Sequence, residues 1–253
     1  MPQPSERLPV AASRGVRRSS YTLVTPANHY PSRLPNLRAT QFVKLVTPRF
    51  APARFGQYLL VIEAGGGTDA PVAPGFEDFL FGLAGQATLA SPTGEHSLSA
   101  GGFAYLPPDV GFELSSTGGA RVLWLKRRLE EWPGLGAPDA VAGHRDDEPF
   151  EDTDMPGFRR RELLDPADAR LDFNMSLLQF DPGVGLPKVE VHDEEHGLYM
   201  TAGAGHYHLD EDIHEVVRDD FIYMAPYCPQ SFVATGPEPA EYLLYKDVYR
   251  DGF

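Results

Sequence analysis

The segment KVEVHDEEHGLYM, Lys188 to Met200, places Glu190, His192 and His196 at successive spacings of two and four residues. One carboxylate and two imidazoles form an oxygen and nitrogen donor set that suits Mn, Fe, Ni or Zn, with no sulfur to favour a softer ion. In an extended strand Glu190 and His192 share a face, because side chains alternate. His196 stands where the polar Asp193-Glu194-Glu195 gives way to the apolar run GLYMTAG, so a hairpin or bulge brings it back beside them. A fourth donor has to come from another strand. Gln230, in YMAPYCPQSF, follows a turn-forming Pro-Tyr-Cys-Pro and can fold over the same mouth; taken alone it would read as a turn amide.

The elements that must position these groups are strands. Prolines (24) and glycines (25) cut the chain into short aromatic and aliphatic runs such as QYLLVIEA, FLFGLAG, RVLWLKRRL, MSLLQFDP, DDFIYMAP and EYLLYKDVYR. Runs of that length separated by turn signals predict an all-β sandwich or barrel. They also repeat. A displacement of 118 lays Gly65 on Gly183, Gly85 on Gly203, Phe103 on Phe221, Tyr105 on Tyr223 and Pro108 on Pro226, and a displacement of 120 lays Lys126 on Lys246. One displacement serving five pairs indicates duplication. The expected organisation is an arm over 1–20, a first barrel over 21–130, a Pro-, Gly- and acid-rich linker over 131–157 and a second barrel over 158–253.

The duplication supplies an internal control. Glu190, His192, His196 and Gln230 fall on Val72, Pro74, Asp78 and Phe112, three of which have no side chain able to ligate a metal. The first barrel is therefore expected to lack a site and to serve packing and oligomer support.

Composition narrows the function classes. A formal charge of -14 argues against nucleic acid, which requires clustered Lys and Arg. A small anionic ligand remains compatible, provided that a metal or a placed lysine supplies a local cation. No run of about 18 apolar residues occurs, so no membrane span is expected. The first twenty residues hold four arginines without the apolar stretch of a secretory signal, and the one cysteine, Cys228, fits a reducing compartment; the cytoplasm is the expected location. Cys228 itself reads as buried filler, and His206, His208 and His214 as surface groups or neighbours of the site.

The spacing of the donors resembles the cupin superfamily. Its first motif carries two ligands two residues apart, a third after three or four residues and a glycine after six more, as do Glu190, His192, His196 and Gly203; its second motif ends a proline-containing turn with the fourth ligand, where Gln230 stands. That resemblance implies two tandem double-stranded β-helix (jelly-roll) barrels. The first ligand is usually His and the third usually Glu, so this chain inverts the common order. Glu-x-His-x-x-x-His with a distal Gln resembles one family closely, the bicupin (S)-ureidoglycine aminohydrolases of allantoin breakdown, and the likeness runs from YTLVTPANHY through FGQYLLVIEAGGG and APYCPQ to YLLYKDVYRD. The resemblance implies that Glu190, His192, His196 and Gln230 bind Mn(II), that Tyr207, Tyr242 and Lys246 contact a small anionic ureide, and that the product is ureidoglycolate with release of ammonia. A homo-oligomer is expected. On the residues alone, Tyr207 and Tyr242 could be strand aromatics and Lys246 a barrel-rim structural group. A cupin dioxygenase, decarboxylase or isomerase, and a non-enzymatic ligand-binding bicupin, are the alternatives.

Overall fold

The computed structural model describes residues 13–50, 52–248 and 250. The predicted runs are strands: Phe55–Thr68, Glu77–Ser91, Gly102–Leu106 and Ala120–Arg127 in the first half, Phe173–Phe180, Phe221–Met224 and Ala240–Asp247 in the second. Among the described residues the one helical element is a 3-10 turn, Pro26–Asn28.

Strand pairing repeats with the chain. The isolated bridge between Val72 and Phe112 recurs 118 residues later between Glu190 and Gln230, and the pairing of Gly67 with Ser115 recurs between Gly185 and Val233. Gly85 and Gly203, equivalent under the same displacement, have φ of +66° and +69°. A Cβ at either would lie 2.2 Å from the Gly119 carbonyl oxygen or 2.6 Å from Ala240 Cα, so the bend needs glycine in both copies. In the first barrel this bend lies within one strand, Glu77–Ser91; in the second it separates His196–Ala202 from Ala204–Leu209.

Alternation along the final strand of each half sorts residues between two cores. Val122 and Trp124 face the interior of the first barrel, whereas Leu123 and Leu125 join the core between barrels. In the second barrel Tyr242 faces the interior, with Leu244 packed against that core, and Leu243 and Tyr245 face the first barrel. Lys246 continues the face of Tyr242 and Leu244, which aims it along the interior toward the mouth. The core between barrels draws Phe55, Phe79, Phe81 and Tyr105 from one half and Phe173, Tyr199, Tyr223 and Tyr245 from the other.

The expected domain limits need correction where segments of the arm, the first barrel and the linker join other sheets; Glu151–Asp152 of the expected linker, for one, pairs with Phe158–Glu162 of the second barrel. Tyr21–Val24, assigned to the first barrel, pairs with Phe221–Met224 of the second, and Val16–Arg17 pairs with it in turn. Val141–His144 of the linker pairs with Gly102–Leu106 and extends the first sheet. Each recruited segment covers a sheet edge whose N–H and C=O groups would otherwise be unpaired. Residues 1–12 of the expected arm lie outside the described residues.

Candidate metal centre

Two short backbone pairings build the site. Glu190 N–H donates to Gln230 O at 2.8 Å and Gln230 N–H to Glu190 O at 2.9 Å, which sets these residues directly across from one another. Tyr227 N–H donates to His192 O at 2.7 Å, so the turn Pro226-Tyr227-Cys228-Pro229 folds against the stretch that carries His192. Tyr227 takes φ of +63° to make that turn. The expected strand through Glu190 and His192 is shorter than predicted: Glu190 makes a single bridge and His192 lies in irregular chain. The polar DEE interrupts the sheet, and pairing resumes at His196, which opposes Met224 on one side and Lys246 on the other.

This geometry brings three of the four predicted donors together. His192 Nε2 lies 3.3 Å from His196 Nε2 and 3.2 Å from the Gln230 side-chain amide nitrogen. The Gln230 amide oxygen accepts from Tyr207 Oη at 3.4 Å. Burial, with His192 and Lys246 nearby, pushes the His196 imidazole down to about 3, so the ring is neutral near pH 7, as a metal-ligating imidazole must be. The fourth predicted donor stands apart. Among the described residues no three of His, Cys, Asp and Glu are gathered closely enough to hold an ion. Glu190 exerts its charge on Tyr207 and Tyr242 instead.

The donor set nevertheless fits a divalent ion. Two imidazole nitrogens bound side by side at about 2.1 Å from one ion would stand about 3 Å apart, close to the separation of His192 and His196. A half-turn of the Gln230 amide exchanges its two ends, turning the oxygen toward the imidazoles and the NH2 toward Tyr207. Glu190 is the cross-strand neighbour of Gln230, about 5 Å away at Cβ, which places its carboxylate within reach through its own rotamers.

Tyr207 and Tyr242 line the interior below these donors. Their rings stand 6.5 Å apart, with Phe232 against both and Phe180 against Tyr242. Burial, then Tyr207 and Glu190, lifts the Tyr242 hydroxyl well above the usual phenol range; burial, then Glu190, does the same to Tyr207. Both stay protonated hydrogen-bond donors at any ordinary pH.

Lys246 is engaged by a residue that the sequence did not single out. Its Nζ lies 2.9 Å from Glu194 Oε1, while Glu194 Oε2 lies 2.9 Å from His192 Nδ1 at an angle too bent for a good hydrogen bond. Glu194 sits in the DEE spacer, where no pattern distinguishes it from Asp193 and Glu195. The remaining histidines lie elsewhere. His206 and His208 line an outer cavity of about 400 Å³ with Val189, Ile213 and Val233, and His214 Nε2 lies 2.7 Å from Tyr21 Oη. Cys228 is buried in the core of the second barrel.

Among the described residues the first barrel has no counterpart. Asp78, at the place of His196, accepts from Trp124 Nε1 at 2.7 Å, and Phe112, at the place of Gln230, packs edge-on to Trp124 at 5.7 Å. Val72 is buried beside them in the same core.

Two barrels of one design, the second with imidazole and amide donors converging at its mouth and the first closed by aromatic packing, define a bicupin. The cupin domain family model matches residues 176–245. A rice (Oryza sativa subsp. japonica) protein named probable (S)-ureidoglycine aminohydrolase is 34% identical over 240 residues, covering 94% of this chain and 76% of that protein. The (S)-ureidoglycine aminohydrolase of Arabidopsis thaliana is 32% identical over 240 residues, covering 94% and 79%. The crystal structure of protein Ylba from E. coli superimposes with a TM-score of 0.84 at 28% identity, over 96% of this chain and 97% of that one. The chain belongs to the (S)-ureidoglycine aminohydrolase family, enzymes that act on a C–N bond.

Proposed function

We propose that this protein hydrolyses (S)-ureidoglycine to (S)-ureidoglycolate and ammonia, with Mn(II) held in the second barrel, as a step in the breakdown of purine-derived ureides. The observation that carries the proposal is the convergence of His192, His196 and Gln230 beside Lys246 in a chain of this family. Glu190, His192, His196 and Gln230 would hold the ion, which would supply a Lewis-acidic anchor for the substrate. Lys246, on the interior face next to His196, is placed to attract the carboxylate of an anionic substrate in a protein of net charge -14. Contact with substrate would require Lys246 to share or exchange its ion pair with Glu194.

Tyr207 and Tyr242 would donate from Oη to the ureido oxygen, and Phe180 and Phe232 would keep bulk water from that end. In the reaction a water oxygen bonds to the central carbon as the bond to the amine breaks, and the amine takes up a proton and leaves as ammonia. Fixing the substituents at separate points orients one face of that carbon to the water and contributes to rate through positioning.

The test generates ureidoglycine in place from allantoate with an allantoate-degrading enzyme, with and without Mn(II). One ammonia per substrate, an intact ureido group and one enantiomer of ureidoglycolate are expected. Racemic product at the buffer-only rate would refute the activity, and oxygen consumption without ammonia would assign the chain to the oxidative cupins.

A further inference from the structure

A cavity of about 160 Å³ opens between the barrels, lined by Leu83, Gly101, Arg121, Arg145, Thr201, Arg218 and Asp219 among others. It lies where the two copies of one stretch face each other: Leu83 is equivalent to Thr201, Ala100 to Arg218 and Gly101 to Asp219 under the displacement of 118. The first barrel contributes Gly82, Ala100 and Gly101, and the space comes from these small residues. Both strands are bulged at the cavity, at Leu83 between the partners of Arg121 and Val122 and at Thr201 between the partners of Tyr242 and Glu241. Bulges of this kind re-aim a side chain, and here both aim into one space.

Arg121, Arg145 and Arg218 bring three guanidinium groups to the lining; Asp219 offsets Arg121, and Glu241 with Asp146 offsets Arg145, which leaves Arg218 as the cation free to meet a ligand. Arg121 is held by Asp219 at 3.0 Å and Tyr199 at 3.1 Å, and Arg145 by both oxygens of Glu241 at 2.5 and 2.6 Å. Arg218 is an exposed residue whose guanidinium, among the described residues, makes no hydrogen bond or ion pair, its charge acting on the carboxyl of Asp219. Behind the lining, Arg161 is buried with Nε and Nη1 unpartnered and donates to the carbonyl of His144, the neighbour of Arg145.

We infer that this cavity binds a small oxyanion, a carboxylate or a phosphate, with Arg218 as its principal ion-pair partner and Arg121 and Arg145 fixed in advance by their acids. Guanidinium forks match both anions. The volume equals that of roughly five liquid water molecules, room for an anion of about that many heavy atoms. The site is separate from the candidate metal centre. Thr201 lies five residues from His196 on one strand, roughly 17 Å along it.

The test is calorimetric titration of the full-length, metal-loaded protein with inorganic phosphate and, in a second arm, with acetate, at constant ionic strength. Wild type, Arg218→Gln and Arg218→Glu are compared, with metal content checked in each. Saturable binding of one anion per chain is expected, weakened at least tenfold in Arg218→Glu and less in Arg218→Gln, at unchanged metal content. The arm that binds more tightly assigns the anion. Absence of saturable binding in both arms, or equal affinity in wild type and Arg218→Glu, would overturn the inference.

Discussion

Glu77 and Glu195 hold equivalent places in the two barrels, and each buried carboxylate accepts a hydrogen bond from the tyrosine 28 residues further on: Tyr105 at 2.9 Å and Tyr223 at 3.1 Å. Around this shared pair the charges are exchanged. Arg127 of the first barrel pairs with Asp172 of the second at 3.0 Å, while Arg54 of the first pairs with Asp247 of the second. Arg54 is the equivalent of Asp172, and Arg127 of Asp247. These two ion pairs thus join unlike halves, whereas two copies of one half placed in this way would set arginine against arginine or aspartate against aspartate.

Removing one cation from this contact should be costly. Arg127→Met leaves Asp172 buried without its counter-charge, beside Glu77, whose carboxyl is pushed up to about 9 by burial and by Asp172, and stability should fall by about 3 to 5 kcal/mol. Urea denaturation measures it. A triple variant that also carries Glu77→Gln and Asp172→Asn should recover part of the loss; an unchanged midpoint in Arg127→Met would show that the ion pair carries no such weight.

Asp78 should make stability depend on pH in an unusual direction. Burial raises its carboxyl to about 6 against the opposing pull of Lys126 and the hydrogen bond from Trp124. The folded protein therefore keeps a proton that the unfolded chain releases near pH 4, so this group's contribution falls as pH rises from about 4 to 6 and is flat above. Asp78→Asn still accepts from Trp124 and lacks this dependence. Relative to wild type it should gain on the order of 2 to 3 kcal/mol between pH 4 and pH 7. Parallel stability curves for the two proteins would contradict the prediction.

Metal content should follow the asymmetry between barrels. Elemental analysis should find at most one tightly bound divalent ion per chain, because Val72, Asp78 and Phe112 close the first barrel. Glu190→Gln keeps the backbone bridge to Gln230 but removes the anionic donor, so metal affinity should drop strongly and activity should need excess Mn(II). Gln230→His should retain metal. Full occupancy and rate in Glu190→Gln would remove that residue from the site.

Lys246 and Glu194 should separate in their effects. Lys246→Met deletes the cation while keeping much of the aliphatic stem, and turnover should fall about tenfold or more at normal metal content, in line with a lost charged hydrogen bond of about 1.5 to 3 kcal/mol. Glu194→Gln loosens the support of His192, and metal affinity should fall about 10- to 100-fold, as when an outer partner of a ligating histidine is removed. Equal loss of metal in both variants would place Lys246 in a structural role.

The strand-built architecture was legible in short runs set off by turn residues, the duplication in a single displacement of 118, and the meeting of His192, His196 and Gln230 in their spacing and the turn before Gln230. Alternation along a strand puts Tyr242, Leu244 and Lys246 on one face whatever else the chain does, and the turn before Gln230 is written in its two prolines. The strand through His192 was overread: apolar neighbours suggested pairing that the polar DEE breaks. Tertiary structure alone decided that Tyr21–Val24 completes the second sheet, that Glu194 reaches both Lys246 and His192, and that three arginines from separate segments surround one cavity. Those relations join segments through sheet edges and through the docking of one barrel on the other. Their partners are chosen by which unpaired backbone groups and buried charges meet once the barrels have formed, and that information is absent from any local spacing.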